Sequence, residues 1–452
     1  ELVRGAVCML LLCPPALLIG AFFPLSMDAV SRFGGVRALG MGAAVNTAGN
    51  IVGVFVGGYL LLPVLGGLGG IRLFAALAVL MAFGLMVQAR LLRDKALAGS
   101  CLAAVLIVFA APMELDYSRI ASGANVYFQP MAWGTVIDHA ESADGGLSSV
   151  HVADAGQGRQ QKTLTTNGKF QGNDTGEVEA QLGFAVVPLR EVAHRDAALV
   201  IGYGTGMTAN ALRHAGFGKI DVVDLSRDVV KLADRHFSHL NEQVSQAPGV
   251  ALHIADGRNF LFLQDRQYDL ITVELTSIWF AGAGASYNRE FYQLAKKRLG
   301  PHGVLQQWVQ LHHISQRDLL SLIASVRSEF PFVQIFHFGG QGMIVAKLTD
   351  EAPIHAASAL EDEAGVKALA VRVLGHPLMA RPERILDAKG VDMFVSVWGD
   401  PADWASTDDN MDLEYGTPKG NVLDGARSYQ TNLSILRQYG AVSELSSRSK
   451  AK

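Results

Sequence analysis

Long apolar stretches dominate the first 113 residues and can be counted at 6–30, 40–65, 71–92 and 96–113. About 20 consecutive apolar residues are enough for a helix to cross a bilayer. The first three stretches reach that length. The fourth is shorter and is left open as a full span, a hairpin, a re-entrant piece or an interfacial helix. The pattern predicts a transmembrane region of three or four helices over residues 1–113.

Shorter runs, separated by turn residues, follow this region. The runs at 135–137, 149–152 and 162–165 alternate between apolar and polar residues, and Asn167-Gly168 comes next. An Asn-Gly step between such runs is typical of a β-hairpin. We therefore expect a linker and a small antiparallel β domain over residues 114–185.

From residue 198 onward, short apolar runs alternate with helical patterns. Strands are predicted at 198–202, 220–224, 251–254, 268–273, 303–309, 333–338 and 342–346, and helices at 207–215, 228–237, 289–299 and 316–330. This alternation is typical of a parallel sheet with helices on both faces. It predicts a Rossmann-like, doubly wound α/β domain over residues 186–348. For residues 349–452, the sequence pattern predicts a helical capping segment, with a disordered tail after Ser443.

Composition narrows the function classes. The formal net charge is -4 and 18% of residues are charged, which leaves no basic footprint for nucleic acid. The three cysteines, Cys8, Cys13 and Cys101, all fall in the apolar third without metal-ligand spacing, so neither a disulfide framework nor a zinc site is expected. The chain starts at Glu1, close to an apolar segment, and we expect the N-terminus to be truncated.

A glycine-rich loop links the first strand of the α/β domain to its helix. Glycines there let the backbone turn tightly and approach a ligand. Asp224 follows about 20 residues later, at the end of the second strand, where an acid can accept both ribose hydroxyls. Asp256-Gly257 ends the third strand and suits the adenine amino group. The predicted nucleoside site consists of Gly202, Gly204, Thr205, Gly206, Asp224, Asp256 and Gly257.

The spacing of the loop separates two ligand classes. A dinucleotide enzyme would share the loop and the acid, with its pyrophosphate on the helix N-terminus. Here the loop is Gly-x-Gly-x-Gly followed by Met207-Thr208, instead of Gly-x-Gly-x-x-Gly. This spacing favours an adenosyl ligand without a pyrophosphate, as in the S-adenosylmethionine-dependent methyltransferase-like fold.

These residues resemble the polyamine aminopropyltransferase (spermidine synthase) family, in particular its bacterial membrane-fused branch, over about residues 133–347. The family's β unit carries Asp-Gly-x-x-Gln, where this chain has Asn167 to Gln171. Its catalytic Asp-x-x-Asp corresponds here to Glu274 and Ser277. The resemblance implies a transferase of polyamine biosynthesis with decarboxylated S-adenosylmethionine or S-adenosylmethionine as co-substrate and no metal. It also implies a small amine acceptor, a homodimer through the synthase-like domain, and Gln171 beside the co-substrate.

Several positions depart from the family's pattern. Thr205 replaces the acid that faces the ligand's ammonium, and Ala180 replaces the tyrosine of a Tyr-Gln pair, although Gln181 remains. Ser277 does not replace a charge, whereas Glu274 keeps a carboxylate able to act as general base. These changes suggest that the nucleoside is bound while the acceptor, or the reaction, has changed.

Aromatic residues follow the fourth strand, and two of them, Trp279 and Tyr287, are expected to close over the substrate beside Gln181 and Ser277. The alternative is that aromatic residues in this region form part of the core. The pair His312-His313 lacks a third ligand, so no metal site is expected.

Three functions are compatible with these features. The first is transfer of an aminopropyl group to an amine, releasing methylthioadenosine, with Glu274 as base. The second is a methyltransferase, or another adenosyl-ligand enzyme, with a non-polyamine acceptor. The third is a membrane transporter or sensor whose soluble domain binds the nucleoside.

The expected location is the bacterial inner membrane, with the lipid bilayer as a partner and the catalytic domain in the cytoplasm. Basic residues flank the turns near 32–37 and 90–95, which the positive-inside rule places in the cytoplasm. A spanning fourth stretch would then export the soluble domain. Either that stretch does not span, or the charge bias is misleading here.

Overall fold

The computed structural model describes residues 2–88, 94–110, 114–156, 158–274, 277–278, 280, 282–350, 364–378 and 381–450. The chain divides into two compact units, Glu1–Glu114 and Leu115–Lys452.

The first unit is helical. Its elements are α1 (Leu2–Phe55), a π-helical segment (Val56–Leu61), α2 (Leu62–Gln88) and α3 (Lys95–Ala110). Non-helical backbone at Gly35 (φ 58°) and Gly66 (φ 68°) interrupts α1 and α2. A Cβ at Gly57 would lie 4.0 Å from Phe74 Cζ. Because 17 residues of straight helix span about 25 Å, this contact requires the chain to fold back at Gly66.

Two helical runs in this unit are long and apolar enough to cross a membrane, Gly5–Arg32 and Gly34–Gln88. The second contains 55 residues, far more than the roughly 20 that one crossing needs. The turn at Gly66 divides it into two parts that correspond to the second and third predicted spans. The helix α3 has 16 residues, and residues 111–113 of the fourth predicted stretch lie outside the described residues.

The second unit begins with two short helices, α4 (Tyr117–Ile120) and α5 (Ala124–Tyr127), and an antiparallel four-stranded sheet. The strands lie in the order β1-β2-β3-β4, with bounds β1 (Thr135–Ser142), β2 (Gly146–Gly156), β3 (Arg159–Thr166) and β4 (Lys169–Asn173). Asn167 (φ 51°) and Gly168 (φ 75°) connect β3 to β4. Two consecutive residues with positive φ are characteristic of a type I′ hairpin turn, so the predicted hairpin is confirmed.

An eight-stranded sheet forms the centre of this unit, in the order β12-β10-β11-β9-β8-β5-β6-β7. Its strands are β5 (Ala197–Ile201), β6 (Lys219–Asp224), β7 (Val250–Ile254), β8 (Tyr268–Val273), β9 (Leu299–Val309), β10 (Phe332–Phe338), β11 (Gln341–Lys347) and β12 (Glu383–Leu386). The five adjacent strands β7, β6, β5, β8 and β9 run parallel. Strand β11 pairs antiparallel with β9, and β10 pairs antiparallel with both β11 and β12. The predicted α/β fold is therefore confirmed, with a mixed sheet.

Helices cover both faces of the sheet. They are α6 (Val178–Leu189), α7 (Met207–His214), α8 (Arg227–His236), α9 (Ser238–Asn241), α10 (Gly257–Leu263), α11 (Arg289–Arg298), α12 (Gln316–Arg327), α13 (Ala364–Leu374), α14 (Ala388–Ser396), α15 (Pro401–Trp404), α16 (Asp412–Gly416) and α17 (Gly425–Lys450). Short 3₁₀ turns lie at Val244–Gln246, Ala283–Ser286 and Thr417–Val422.

Side chains of β5 show why the sheet must be covered on both sides. Ala198 and Val200 belong to one buried cluster, whereas Leu199 and Ile201 belong to another. Successive side chains of a strand point to opposite faces, so a strand buried on both faces reads as a continuous apolar run. The two clusters are the two layers of core on either side of the sheet.

Three parts of the fold differ from the sequence-based expectations. The segment after residue 349 is not only helical, because it contributes β12, which pairs with β10 and forms one edge of the sheet. The tail predicted after Ser443 is instead the end of α17, which continues to Lys450. The boundary expected between residues 185 and 186 falls inside α6, whose side chains pack in the same cluster as Ala198.

Candidate functional site

A cavity of about 400 Å³ lies at the carboxyl ends of the parallel strands. Four successive strand ends contribute to its wall: Gly202 follows β5, Asp224 ends β6, Asp256 follows β7 and Glu274 follows β8. In doubly wound sheets, ligands bind at the carboxyl ends where the strand order reverses. Here the order reverses between β5 and β8, which is where this cavity lies.

The glycine loop bends over one side of the cavity. Gly202, Gly204 and Gly206 have φ values of 99°, 51° and 80°, which side chains other than glycine rarely adopt. Gly202, Gly204 and Thr205 line the cavity, whereas Gly206 does not. A Cβ at Gly206 would lie 2.7 Å from the ring of Tyr203. The structure therefore gives Gly206 a packing role, behind the cavity wall and at the start of α7.

Asp224 is held by the backbone. Its Oδ2 accepts a hydrogen bond from the N–H of Tyr203 at 2.8 Å, and its Oδ1 accepts one from the N–H of Ser226 at 2.8 Å. Burial raises the pKa of Asp224, and these two hydrogen bonds oppose the rise. Each carboxylate oxygen has two lone pairs, so one on each remains for a ribose hydroxyl.

Asp256 and Gly257 form the third strand end. Asp256 Oδ1 accepts from the N–H of Asn259 at 2.8 Å and caps α10. A Cβ at Gly257 would collide with Cγ2 of Ile201, so α10 packs against β5 only because residue 257 is glycine. Both residues line the cavity, and their contact with adenine stays a prediction.

Glu274 is the carboxylate at the fourth strand end. Burial raises its pKa from 4.5 to about 8, and a hydrogen bond with Thr208 offsets part of this effect. Among the described residues, its Oε1 is buried and has no hydrogen-bond partner. A carboxyl group in this setting is largely protonated at neutral pH and becomes ionised when a cation binds beside it. Its properties suit it to face a cationic ligand.

Gln171, Gln181 and Ser277 lie beside Glu274 and line the same cavity. Gln181 is already engaged within the protein, because its Oε1 accepts from the Thr205 hydroxyl and its Nε2 donates to the carbonyl of Asn173 at 3.0 Å. Ser277 is buried. The three predicted residues are therefore brought together, with Gln181 also fixing the glycine loop against β4.

Tyr287 does not belong to the cavity. Its side chain is fully buried, its hydroxyl donates to the carbonyl of Trp308 at 3.4 Å, and burial raises its pKa. It packs in the core cluster between α11 and the sheet. The expectation that Tyr287 contacts substrate was wrong. Trp279, predicted for the same role, lies outside the described residues.

Lys169 is a cavity residue that the sequence analysis missed. Its side chain is 6% exposed, and Nζ lies 4.6 Å from the ring centroid of Phe280, a cation–π distance. Burial lowers the pKa of Lys169 to about 7. In a regular strand, side chains two residues apart point to the same face. This spacing predicts Lys169 beside Gln171, which was predicted to lie in the site, although the pairing of β4 with β3 shifts register between Phe170 and Gly172.

A second, smaller cavity of about 150 Å³ adjoins the first. The two cavities share Gln171, Gln181, Phe184, Glu274 and Ser277. Beyond these, it is lined by residues that the sequence analysis did not assign to an acceptor site, including Glu177, Trp308, His312 and Gln341. Among the described residues, no group of three or more His, Cys, Asp or Glu side chains is arranged to hold a metal ion.

The strand order and the acids at its carboxyl edge define a class, the methyltransferase-like α/β domains with a mixed sheet. Residues 183–339 match the family described as spermine/spermidine synthase domain. Over these residues, the chain is similar to that family.

Two curated relatives illustrate the similarity. A polyamine aminopropyltransferase of Nitrosomonas europaea is 32% identical over 186 residues, which cover 40% of this chain and 57% of that protein. A putrescine N-methyltransferase of Nicotiana attenuata is 30% identical over 176 residues, which cover 37% of this chain and 46% of that protein. The chain thus spans little more than half the length of the first of these relatives and less than half of the second.

One solved structure that the chain matches is that of a probable spermidine synthase from Corynebacterium glutamicum. Its TM-score is 0.41 at 17% identity, and the matched region covers 60% of this chain and 95% of that one.

Proposed function

We propose that the second unit transfers an alkyl group from an adenosyl sulfonium to the nitrogen of a small amine. This proposal rests on three successive strand ends, where the glycine loop, Asp224 and Asp256 line one cavity. A bound nucleoside would meet Asp224 with its ribose and Asp256 with its adenine. Glu274 lies at the fourth strand end, where the sulfonium side of such a ligand would reach. Two reactions fit this description, and the first is transfer of an aminopropyl group from decarboxylated S-adenosylmethionine.

The chemical step needs little beyond positioning and one base. The amine nitrogen attacks the carbon next to the sulfonium, the carbon–sulfur bond breaks, and its electron pair stays on sulfur in the departing methylthioadenosine. The nitrogen then carries a surplus proton, which Glu274 accepts. Glu274 must be ionised to do so, and the positive sulfonium favours that form by lowering its pKa. Alignment of the two reactants would supply most of the rate.

A second form of the reaction is methyl transfer from S-adenosylmethionine, and Lys169 is the observation that favours it. In the glycine loop, Thr205 stands where the family has an acid, and Lys169 is buried at the cavity wall. In its protonated form, the Lys169 side chain favours the co-substrate that keeps a carboxylate over the decarboxylated one, which has two positive charges and no negative charge. The putrescine N-methyltransferase among the relatives is named for transfer of this kind.

Product analysis distinguishes these reactions. The purified chain is incubated with an amine and either decarboxylated S-adenosylmethionine or S-adenosylmethionine, and nucleoside products are identified by mass spectrometry. Methylthioadenosine would support aminopropyl transfer, and S-adenosylhomocysteine would support methyl transfer. Unchanged turnover after Glu274→Gln would remove Glu274 as base. Absence of turnover with either co-substrate would instead favour a sensor or transporter that only binds the nucleoside.

The first unit would anchor this enzyme in the bacterial inner membrane, with the catalytic unit in the cytoplasm where adenosyl co-substrates are made. The two long apolar helical runs support anchoring, and the family resemblance suggests a homodimer. Membrane fractionation and protease accessibility of the second unit in spheroplasts test this arrangement. Digestion of the second unit from the periplasmic side would contradict it.

A further inference from the structure

The second cavity has the character of a cation site. Its described lining contains two carboxyl groups, Glu177 and Glu274, and neither lysine nor arginine. Trp308 and Tyr127 contribute aromatic rings, whose faces attract cations. Burial lowers the pKa of His312 to about 4, so this histidine is neutral at pH 7 and adds no positive charge.

Glu177 occupies a fixed position at the start of α6. Its backbone N–H donates to Asn173 Oδ1 at 3.0 Å, which ties it to the end of β4. Its Oε2 accepts from Gln341 Nε2 at 3.4 Å. Burial raises the pKa of Glu177, and the hydrogen bond from Gln341 opposes that rise. A cation beside the carboxylate would favour its ionised form further.

Trp308 fixes the orientation of this contact. The indole Nε1–H donates to Gln341 Oε1 at 2.8 Å. An indole can only donate, and an amide has one accepting oxygen and one donating NH₂ group. The NH₂ group of Gln341 must therefore face Glu177. This chain of hydrogen bonds holds the Glu177 carboxylate in place at the cavity wall.

We propose that Glu177 is the acceptor-binding carboxylate of this cavity and holds the ammonium group remote from the reacting nitrogen, while Glu274 faces the reacting nitrogen. The inference rests on the proposed function. The family pattern would place a second acid at position 277, where this chain has a buried serine. Glu177 supplies a second carboxylate to the same pocket from a different segment, so the acceptor it favours carries two cationic groups.

The test compares a diamine with a monoamine of equal length. Wild type, Glu177→Gln and Glu179→Gln are assayed with 1,4-diaminobutane and 1-aminobutane, using the co-substrate that wild type turns over. Glu179 lies two residues further along and lines neither cavity, so it is the matched control. Loss of one charge-assisted hydrogen bond should raise the KM for the diamine about 10- to 100-fold in Glu177→Gln. The KM for the monoamine and for the co-substrate should stay within about two-fold.

If Glu177 had a purely structural role, Glu177→Gln would lose activity equally with both amines, and that result would overturn the inference. A diamine preference equal to that of the control variant would overturn it as well. If Glu177→Gln does not fold, Gln341→Leu serves instead. This substitution keeps the Glu177 carboxylate but removes the hydrogen bond from Gln341 that orients it. A several-fold loss of diamine preference is then expected, and an unchanged preference would count against the inference.

Calorimetry separates this inference from the proposed function. Methylthioadenosine and S-adenosylhomocysteine are titrated into wild type and Glu177→Gln before any kinetics. Equal nucleoside binding by the two proteins, with altered amine preference, supports the role of Glu177. Failure of wild type to bind either nucleoside would defeat the proposed function and this inference with it. Nucleoside binding with unaltered amine preference would defeat the inference alone.

Discussion

Replacing Glu274 by glutamine should stabilise the ligand-free protein, by an amount that grows with pH. Burial raises the pKa of Glu274 from 4.5 to about 8, and one of its oxygens is buried without a partner among the described residues. Each pKa unit corresponds to about 1.4 kcal/mol, so the cost of ionising this group in the fold has an upper bound of about 5 kcal/mol. Glutamine has the same shape and carries no charge.

The pH dependence of this stability difference follows from the pH range in which the folded protein keeps the Glu274 proton. The unfolded chain releases the Glu274 proton near pH 4.5, whereas the folded protein holds it until about pH 8. Between these values, wild type loses stability relative to Glu274→Gln as pH rises. The difference is near zero below pH 4.5 and largest above pH 8. Because solvent reaches part of this side chain, we expect about 2 kcal/mol at pH 8.

Thermal unfolding in detergent measures this difference. Wild type, Glu274→Gln and the control Glu179→Gln are melted at pH 5 and pH 8 without ligand. The Glu274→Gln protein should gain roughly 3 °C over wild type at pH 8 and much less at pH 5, while the control should not differ from wild type. An equal gap at both pH values, or a less stable Glu274→Gln protein at pH 8, would refute the reasoning.

Three further substitutions test the first cavity. Asp224→Asn should weaken methylthioadenosine binding about 10- to 100-fold, measured by calorimetry, and unchanged affinity would remove Asp224 from the site. Lys169→Met should shift the ratio of co-substrate Kd values about ten-fold toward the decarboxylated form, because a positive charge is lost; equal changes for both co-substrates would contradict this. Gly257→Ala should destabilise by about 1–3 kcal/mol through overpacking on Ile201, and the double variant with Ile201→Ala should be less destabilised than the sum of the two single variants.

The parallel part of the sheet and its nucleoside edge could be predicted because their signals are local. A strand buried on both faces reads as a continuous apolar run, and the residue at its carboxyl end is the next one in sequence. Thus β8 has the predicted bounds, Tyr268–Val273, and Gly202, Asp224 and Asp256 line one cavity. The short strand β12 was missed because its four residues, only two of them buried, carry no clear period.

Other features depend on which distant residues meet, and no local pattern encodes that. Tyr287 follows the fourth strand, as a pocket residue would, but its ring turns into the core beneath Trp308. Glu177 precedes a helix, where acids are common for capping reasons alone. Its place in the second cavity depends on Gln341, which lies 164 residues further along the chain.

The hydrogen bond from the Tyr203 amide to Asp224 has a consequence for the ligand-free protein. The Tyr203 hydroxyl also donates to Asp234, which anchors the residue at its other end. The glycine loop and the acid at the end of β6 thus form one rigid element before any nucleoside arrives. The Tyr203 amide should exchange slowly with deuterated solvent in the empty enzyme, and ligand addition should slow it little further. Such preorganisation leaves less conformational entropy to be lost when the nucleoside binds.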